Sequence, residues 1–376
     1  MIGAQAPAQL RLGAPEAELA EPLITVMGVR ELPDGRALLV DSRRNAVLLA
    51  DIKAGSVAPV GTVGEGAGQY CHPTHLIALT GDTTLVYDAA RMRLVSFAPG
   101  SVSGAPFDLA VDSATRRAFM PRLGAGATDA SGRLYFAGMA TRREASGQSV
   151  VLDSVAIERW NRQLSRADTL GNLPPIRTPG PDPAFRPAPP LNPFPSGDQW
   201  AVSPDGRVAI VRVNPYRVEI ADASGKRVVG RPLANTPIPV SDAERQQWLH
   251  ERQFSGDGGV APSRRANGKT VQGQCGALGL MQDREIAWPR ELPPFPPDAV
   301  RFAPDGLLWV ERSVPAGSPE LFDVIDGEAK VVANVTMPPN TVLVGFGSTS
   351  LYAVRIDDSH AEFLQRYPLP KISGHN

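Results

Sequence analysis

Aligned on a recurring turn, the chain places a charged or small residue at the same point six times: Asp41, Asp88, Gly138, Arg212, Arg312 and Arg355. Each stands where a short apolar strand ends. If those strands form a ring, the side chains gather around one opening, acidic on one arc and cationic on the other. His75, Asp198 and Asp298 stand near the entrance of the preceding strand in three of the units. Polar groups converging in a concavity are the usual mark of a ligand site. Guanidinium groups held side by side repel unless an anion or a carboxylate lies between them. Asp41, His75, Asp88, Asp198, Arg212, Asp298, Arg312 and Arg355 are therefore the expected ligand-binding set. Arg312, with the least obvious protein partner, is expected to take a carboxylate or phosphate. The competing expectation is that the same charges pair and plug the opening, Arg355 with Asp41 and Arg212 with Asp198 or Asp298.

Other chemistries find less support. Histidine occurs only at 72, 75, 250, 360 and 376 and there is no G-x-S-x-G elbow, which leaves a Ser-His-Asp triad without its parts. Gly64-Glu-Gly-Ala-Gly68 has no helix after it and reads as a turn, not a phosphate cradle. Cys71 and Cys275 have no ligand-spaced Cys or His around them, so they suit a disulfide in an exported protein better than zinc. His75 is the one candidate acid or base at the opening.

The elements that must position these residues are two-strand units. Val29 to Asp41 runs an apolar strand into Pro33-Asp34-Gly35, where proline sets one turn dihedral and glycine takes the positive φ, then climbs a second strand to a polar stop. The phrase returns at Leu76–Asp88, 130–136, Val202–Val211, Phe302–Val310 and, more faintly, 346–354. Six repeats of this kind predict an all-β, six-bladed β-propeller filling residues 1–376 as one domain. Residues 9–13 are expected to add an N-terminal strand that closes the last blade. Residues 173–195, rich in proline, cannot lie inside a sheet and read as an extended link between blades three and four. Residues 232–284 read as an insertion between blades four and five, with a helix at 241–253 opened by the capping box Ser241-Asp-Ala-Glu244. That insertion is expected either to cover a propeller face or to lie on the outer wall through Trp248 and Leu249.

The D-G-x-L-x-V-D phrase and the short blades resemble NHL-type six-bladed propellers over residues 24–368, the two insertions apart. That resemblance implies a ring scaffold whose members bind proteins, RNA or small ligands; related six-bladed folds host hydrolases and lyases. The calcium-dependent lactonases, of the senescence-marker or gluconolactonase group, are similar in outline. Their pattern implies a divalent ion on carboxylates and Asn in the channel, for which Glu21, Asn45 and Asn214 are the nearest residues. No Asn stands at the blade exits, and a hard cation needs several converging oxygens. Calcium is thus the only cofactor that the resemblance admits, and no cofactor is expected from the residues themselves.

Composition narrows the partners. A formal net charge of -1 without a long basic run argues against nucleic acid. No window reaches the ~20 apolar residues of a membrane-spanning helix. Ala4-Gln5-Ala6 has the small-x-small form of an export cleavage site, so a periplasmic or secreted monomer is expected. Two functions follow: a non-enzymatic propeller binding a protein or small anionic ligand at the channel mouth, or a metal-dependent hydrolase, lactonase or lyase with its site in the channel.

Overall fold

The computed structural model describes residues 6–66, 68–91, 93–98, 105–106, 127–137, 141–143, 149–161, 166–174, 190–254, 265–266, 269–270, 275 and 285–372. Six antiparallel sheets follow one another along the chain, as the repeats require. Blade one is Val26–Glu31, Ala37–Asp41, Ala46–Asp51 and Ser56–Val60. Blade two is Pro73–Ala78, Thr84–Asp88, Arg93–Phe97 and Ala105–Pro106. Blade three is Ala127–Thr128, Leu134–Ala137, Val155–Asn161 and Arg166–Leu173. Blade four is Gln199–Val202, Val208–Arg212, Arg217–Ala221 and Arg227–Val229. Blade five is Val300–Phe302, Leu308–Arg312, Leu321–Ile325 and Val331–Thr336. Blade six is Thr341–Phe346, Ser350–Ile356 and Glu362–Pro368, completed by Ala17–Glu18.

The turn glycines behave as the repeated phrase demands: Gly35, Gly206 and Gly306 sit at φ 85°, 86° and 82°, where a Cβ would be strained. Alternation along each second strand then sends successive side chains into the two neighbouring seams. In blade five, Leu308 and Val310 pack toward blade four with Tyr216 and Val218, while Trp309 packs toward blade six with Leu343 and Leu351. Six such apolar clusters occupy the six seams of the ring, including the one between blades six and one around Leu39, Tyr352 and Leu364. Trp160, 2% exposed, fills the seam between blades two and three. Arginines staple blades together across these seams: Arg30 of blade one donates to the carbonyls of Leu79 and Gly81 in blade two, and Arg301 of blade five to the Leu343 carbonyl in blade six.

Closure differs in one detail from the expectation. The strand expected at 9–13 forms as Ala8–Arg11, but it runs parallel to Val331–Thr336 as a fifth, outer strand of blade five. The last blade is closed a few residues later, where Ala17–Glu18 pairs antiparallel with Glu362–Pro368. Leu19, fully buried in the seam between blades six and one, explains why the second segment carries the closure: it brings an apolar anchor, whereas the first strand is mostly exposed.

The helix forms as Asp242–Phe254. The capping box forms with it: Ser241 Oγ accepts from the Ala243 amide, and the Ser241 amide donates to Glu244 at 3.0 Å. Parts of both insertions meet. Leu191, from the end of the proline-rich run, bridges to Ile286, and the returning segment pairs Glu291 with Pro239. Trp288 sits edge-on to Trp248 and 6.1 Å from Phe194, so linker, helix and returning segment share an aromatic layer. The rest of the linker, 175–189, lies outside the described residues, as do 255–264 and 276–284. Cys275 is disulfide-bonded to Cys71, joining the insertion to the entrance of blade two.

Two outcomes follow. Deleting residues through Leu19 exposes the edge of blade six and should lower unfolding stability by several kcal/mol in urea, whereas deletion through Gly13 should cost far less. Equal losses would contradict this division of labour. Thiol titration of oxidised, denatured protein should find no free cysteine; two free thiols would exclude the bond.

Candidate functional site

The inner strand's start and the second strand's end lie on one face of a propeller, and the expected site residues do stand there. Most are engaged in holding the blades. Asp41, fully buried, accepts from the Ile24 and Thr25 amides at 2.9 and 3.1 Å and meets Arg44 at 3.3 Å. Asp88 repeats the arrangement with the Cys71 and His72 amides and Arg93. Asp198 takes the Val213 amide and pairs with Arg212 at 2.9 Å, while Arg212 also reaches Glu219 at 3.0 Å. The expected Arg212–Asp198 pair is thus present.

Two expectations about partners are corrected. Arg355 does not meet Asp41; it forks onto Glu18 at 2.8 and 3.0 Å and lies over the Phe363 ring, because the closing strand brings Glu18 beside it. Arg312, whose partner was the least obvious, donates to Asp323 at 3.0 Å and to the Ala234 carbonyl and Asn235 side chain, and lies over Tyr216. It ties the start of the insertion to blade five. Gly138 lies outside the described residues. His75 and Asp298 sense one another electrostatically, and burial holds the His75 imidazole below its ordinary range.

A cleft of about 740 Å³ opens on the same face, over blades five and six. Its apolar wall is Phe194, Leu292, Pro293, Pro296, Pro297 and Pro319, and its polar lining includes Glu311, Arg312, Glu320 and Asn340. The insertion helix roofs it. Glu244 accepts from the Ala316 amide at 3.1 Å, Gln247 from the Gly317 amide at 2.9 Å, and His250 Nε2 stands 2.8 Å from His360 Nε2 of blade six. The helix packs on loops of blades five and six.

Two carboxyl groups in this cleft are raised by burial. Strand alternation turns Glu311 away from its neighbour Arg312 and toward blade six. Glu320, at the end of the loop leading to the next strand, accepts from the Leu343 amide at 2.9 Å. Burial, and then the charge of Glu311, push Glu320 up to about 8. Burial also raises Glu311, against the lowering pull of Arg301 and with a smaller push from Asp298. Arg301 is spent on the Leu343 and Asp298 carbonyls and gives neither carboxyl a direct ion pair among its hydrogen bonds. Carboxyls raised in this way suit general acid–base chemistry.

A calcium centre of the lactonase pattern does not fit these residues. Glu21 is paired with Arg44 at 3.1 Å, and Asp41 is saturated by amides. Asn45 Oδ1 is buried without a hydrogen-bond partner. Among the described residues no group of three or more His, Cys, Asp or Glu could hold a metal ion.

Sequence reasoning missed Glu311, Glu320, His250 and His360. The turn alignment picked the residue at strand exit, which in blade five points into the seam with blade four. The available signal was the long connection 313–320 between the second and third strands, where blade one uses only 42–45.

Fold and site together define a six-bladed β-propeller with a roofed cleft on its loop face. No protein-family model matches the chain, and no curated protein matches it. Among solved structures it is similar to regucalcin, a calcium-binding protein from Agrobacterium tumefaciens, at 11% identity over 99% of this chain and 100% of that one, with a TM-score of 0.43. It is also similar to a gluconolactonase from Xanthomonas campestris, at 10% identity over 98% and 99% of the chains (TM-score 0.44), and to a streptogramin B lyase, at 10% over 95% and 87% (TM-score 0.41). Likenesses this distant say nothing about the chemistry of the cleft.

One further acid gives a pH test of the ring itself. Glu362, at the seam of blades six and one, accepts from the Val26 amide at 2.7 Å, and burial pushes it up to about 7. An acid whose folded pKa lies above the unfolded 4.5 binds its proton more tightly when folded, so its stabilisation is complete at low pH and is lost as pH climbs toward 7. Glu362→Gln should therefore match the parent near pH 4.5 and exceed it by about 1–2 kcal/mol at pH 8.5 in urea unfolding, a figure discounted for partial exposure. The opposite pH trend would contradict the assignment.

Proposed function

We propose that the chain is a propeller enzyme of the hydrolase or lyase kind, acting on a small molecule seated in the cleft under the insertion helix. The observation that carries this reading is the Glu311–Glu320 pair, with Glu320 raised to about 8 in a cavity large enough for a ligand. Carboxyls perturbed by desolvation and a specific charged neighbour in a cleft are candidates for acid–base work. Glu320, protonated at neutral pH, donates to an oxygen of the substrate as that oxygen gains charge. Glu311, the partner that gives up its proton first, accepts one from water or from a carbon next to a carbonyl. The proline and Phe194 wall excludes water from one side of the substrate and favours a compact, partly apolar molecule. The disulfide supports a home in an oxidising compartment, the periplasm or the exterior.

Binding without turnover is the second reading, favoured by Arg312 at the edge of the same cleft, 17% exposed at its side chain. It would take a small anionic ligand and need no proton donor. A panel of lactones, esters and β-eliminating substrates, assayed between pH 5 and 10, separates the two. The enzyme reading expects turnover that declines above about pH 8 as Glu320 ionises, and a loss of about 100-fold or more in both Glu320→Gln and Glu311→Gln with the fold intact. Turnover indifferent to both substitutions would sink it. Saturable binding of small carboxylates without turnover, weakened in Arg312→Lys, would favour the second reading.

A further inference from the structure

The charges that line the cleft are one-sided, and the acid–base reading leaves their sign unused. Five carboxyl groups border the cavity: Glu311 and Glu320, which burial perturbs, and Glu251, Asp357 and Asp358. The contact between His250 and His360, Nε2 to Nε2 at 2.8 Å, brings the helix that carries Glu251 against the turn that carries Asp357 and Asp358. These three form an acidic rim. Arg312 is the one arginine or lysine among the lining residues, and its terminal nitrogens are already engaged by Asp323, the Ala234 carbonyl and Asn235. The hydrogen bond between the two imidazoles requires that one of the facing nitrogens lack its proton, so the pair adds at most one positive charge. The rim also has acceptors to spare. Asp357 spends Oδ1 on the Ser359 hydroxyl and the Ser359 and Ala361 amides, while its Oδ2 and the whole Asp358 carboxylate accept no hydrogen bond among the described residues.

We propose that the cleft selects a small organic cation, whose ammonium group sits at the rim against Glu251, Asp357 and Asp358 while its apolar body lies along Phe194 and the prolines toward Glu311 and Glu320. This rests on the reading of the cleft as the substrate site and names the class of molecule it takes. A primary ammonium brings a full charge and three donors, and both find their match in carboxylates that have acceptors unused. A carboxylate or phosphate would enter a field of its own sign. The apolar wall reinforces the choice, because excluding water on one side lets the rim charges act at lower dielectric. Placing the cation at the rim also leaves Glu320 its proton, which a positive charge in direct contact would drive off.

The test uses the oxidised full chain and a trio of probes alike in shape and different in charge: phenethylammonium, phenethyl alcohol and hydrocinnamate, titrated by calorimetry at neutral pH and low salt. The ammonium should bind saturably, about tenfold or more tighter than the alcohol, with the carboxylate weakest, and its advantage should shrink as salt is raised. The carboxyl resonance assigned to Glu320 should move as the ammonium saturates, which puts the probe in the cleft and not on an acidic surface elsewhere. The double variant Glu251→Gln, Asp358→Asn should lose about fivefold or more of the ammonium affinity and keep that for the alcohol, with circular dichroism unchanged. Absence of saturable ammonium binding, equal or tighter binding of the carboxylate, a Glu320 resonance indifferent to the probe, or a preference undiminished in the double variant would each overturn the proposal. Glu320→Gln should still prefer the ammonium, so a protein that binds the cation and turns nothing over loses the acid–base reading and keeps this one.

Discussion

A carboxylate buried between blades must find amides or a cation, or else keep its proton, and much of this molecule follows from that constraint. Asp41 and Asp88 each accept two backbone amides at a blade entrance and hold an arginine besides. Glu31 gathers the hydroxyls of Ser348, Ser350 and Tyr352 across the seam between blades six and one, which keeps it ionised down to about 2. Asp323 serves Arg312, Tyr216 and Asn334 together. Against this background, Glu311 and Glu320 share a cleft, accept a single amide bond between them among those described, and are raised by burial.

The same constraint explains why the ring is rigid where the site needs rigidity. The second strand of blade five divides its side chains between two seams. Trp309 anchors one and Val310 the other, so Glu311 and Arg312 leave the strand in fixed and opposite directions. Arg312, drawn into contact with Tyr216 and Asp323, becomes the tether for the insertion, and Glu311 is left to the cleft. The insertion then does with its aromatic layer and helix what a bare propeller face cannot: it walls a cavity on the loop side. Two further anchors, the helix on blades five and six and the disulfide at blade two, stand on different parts of the ring.

The architecture was legible in the sequence because a propeller repeats its turn, and the turn's glycines and alternating strands are local signals. The Ser241 cap and the Arg212–Asp198 pair were legible for the same reason. The cleft was not. Its members come from the insertion, the returning segment and two blades, and no spacing in the chain announces that Glu320 will meet Glu311 or that His250 will meet His360. The repeated strand exit was a sound place to look, yet the aspartates there turned out to be structural and the arginines partnered, since a residue recurring in every unit tends to answer a need that every unit has. The distinct residues of blade five, around its long 313–320 loop, were the better guide to what is particular to this chain.

The central claim is that Glu320 carries a proton at neutral pH because burial and Glu311 put it there. Carbon-13 NMR of protein labelled at the glutamate carboxyl, titrated from pH 4 to 10 and assigned by Glu320→Gln, reads this directly. The account predicts a carboxyl resonance that titrates near 8 and moves down clearly when Glu311 is replaced by Gln. A Glu320 that titrates below about 5 in the folded protein, or one indifferent to Glu311, would contradict it.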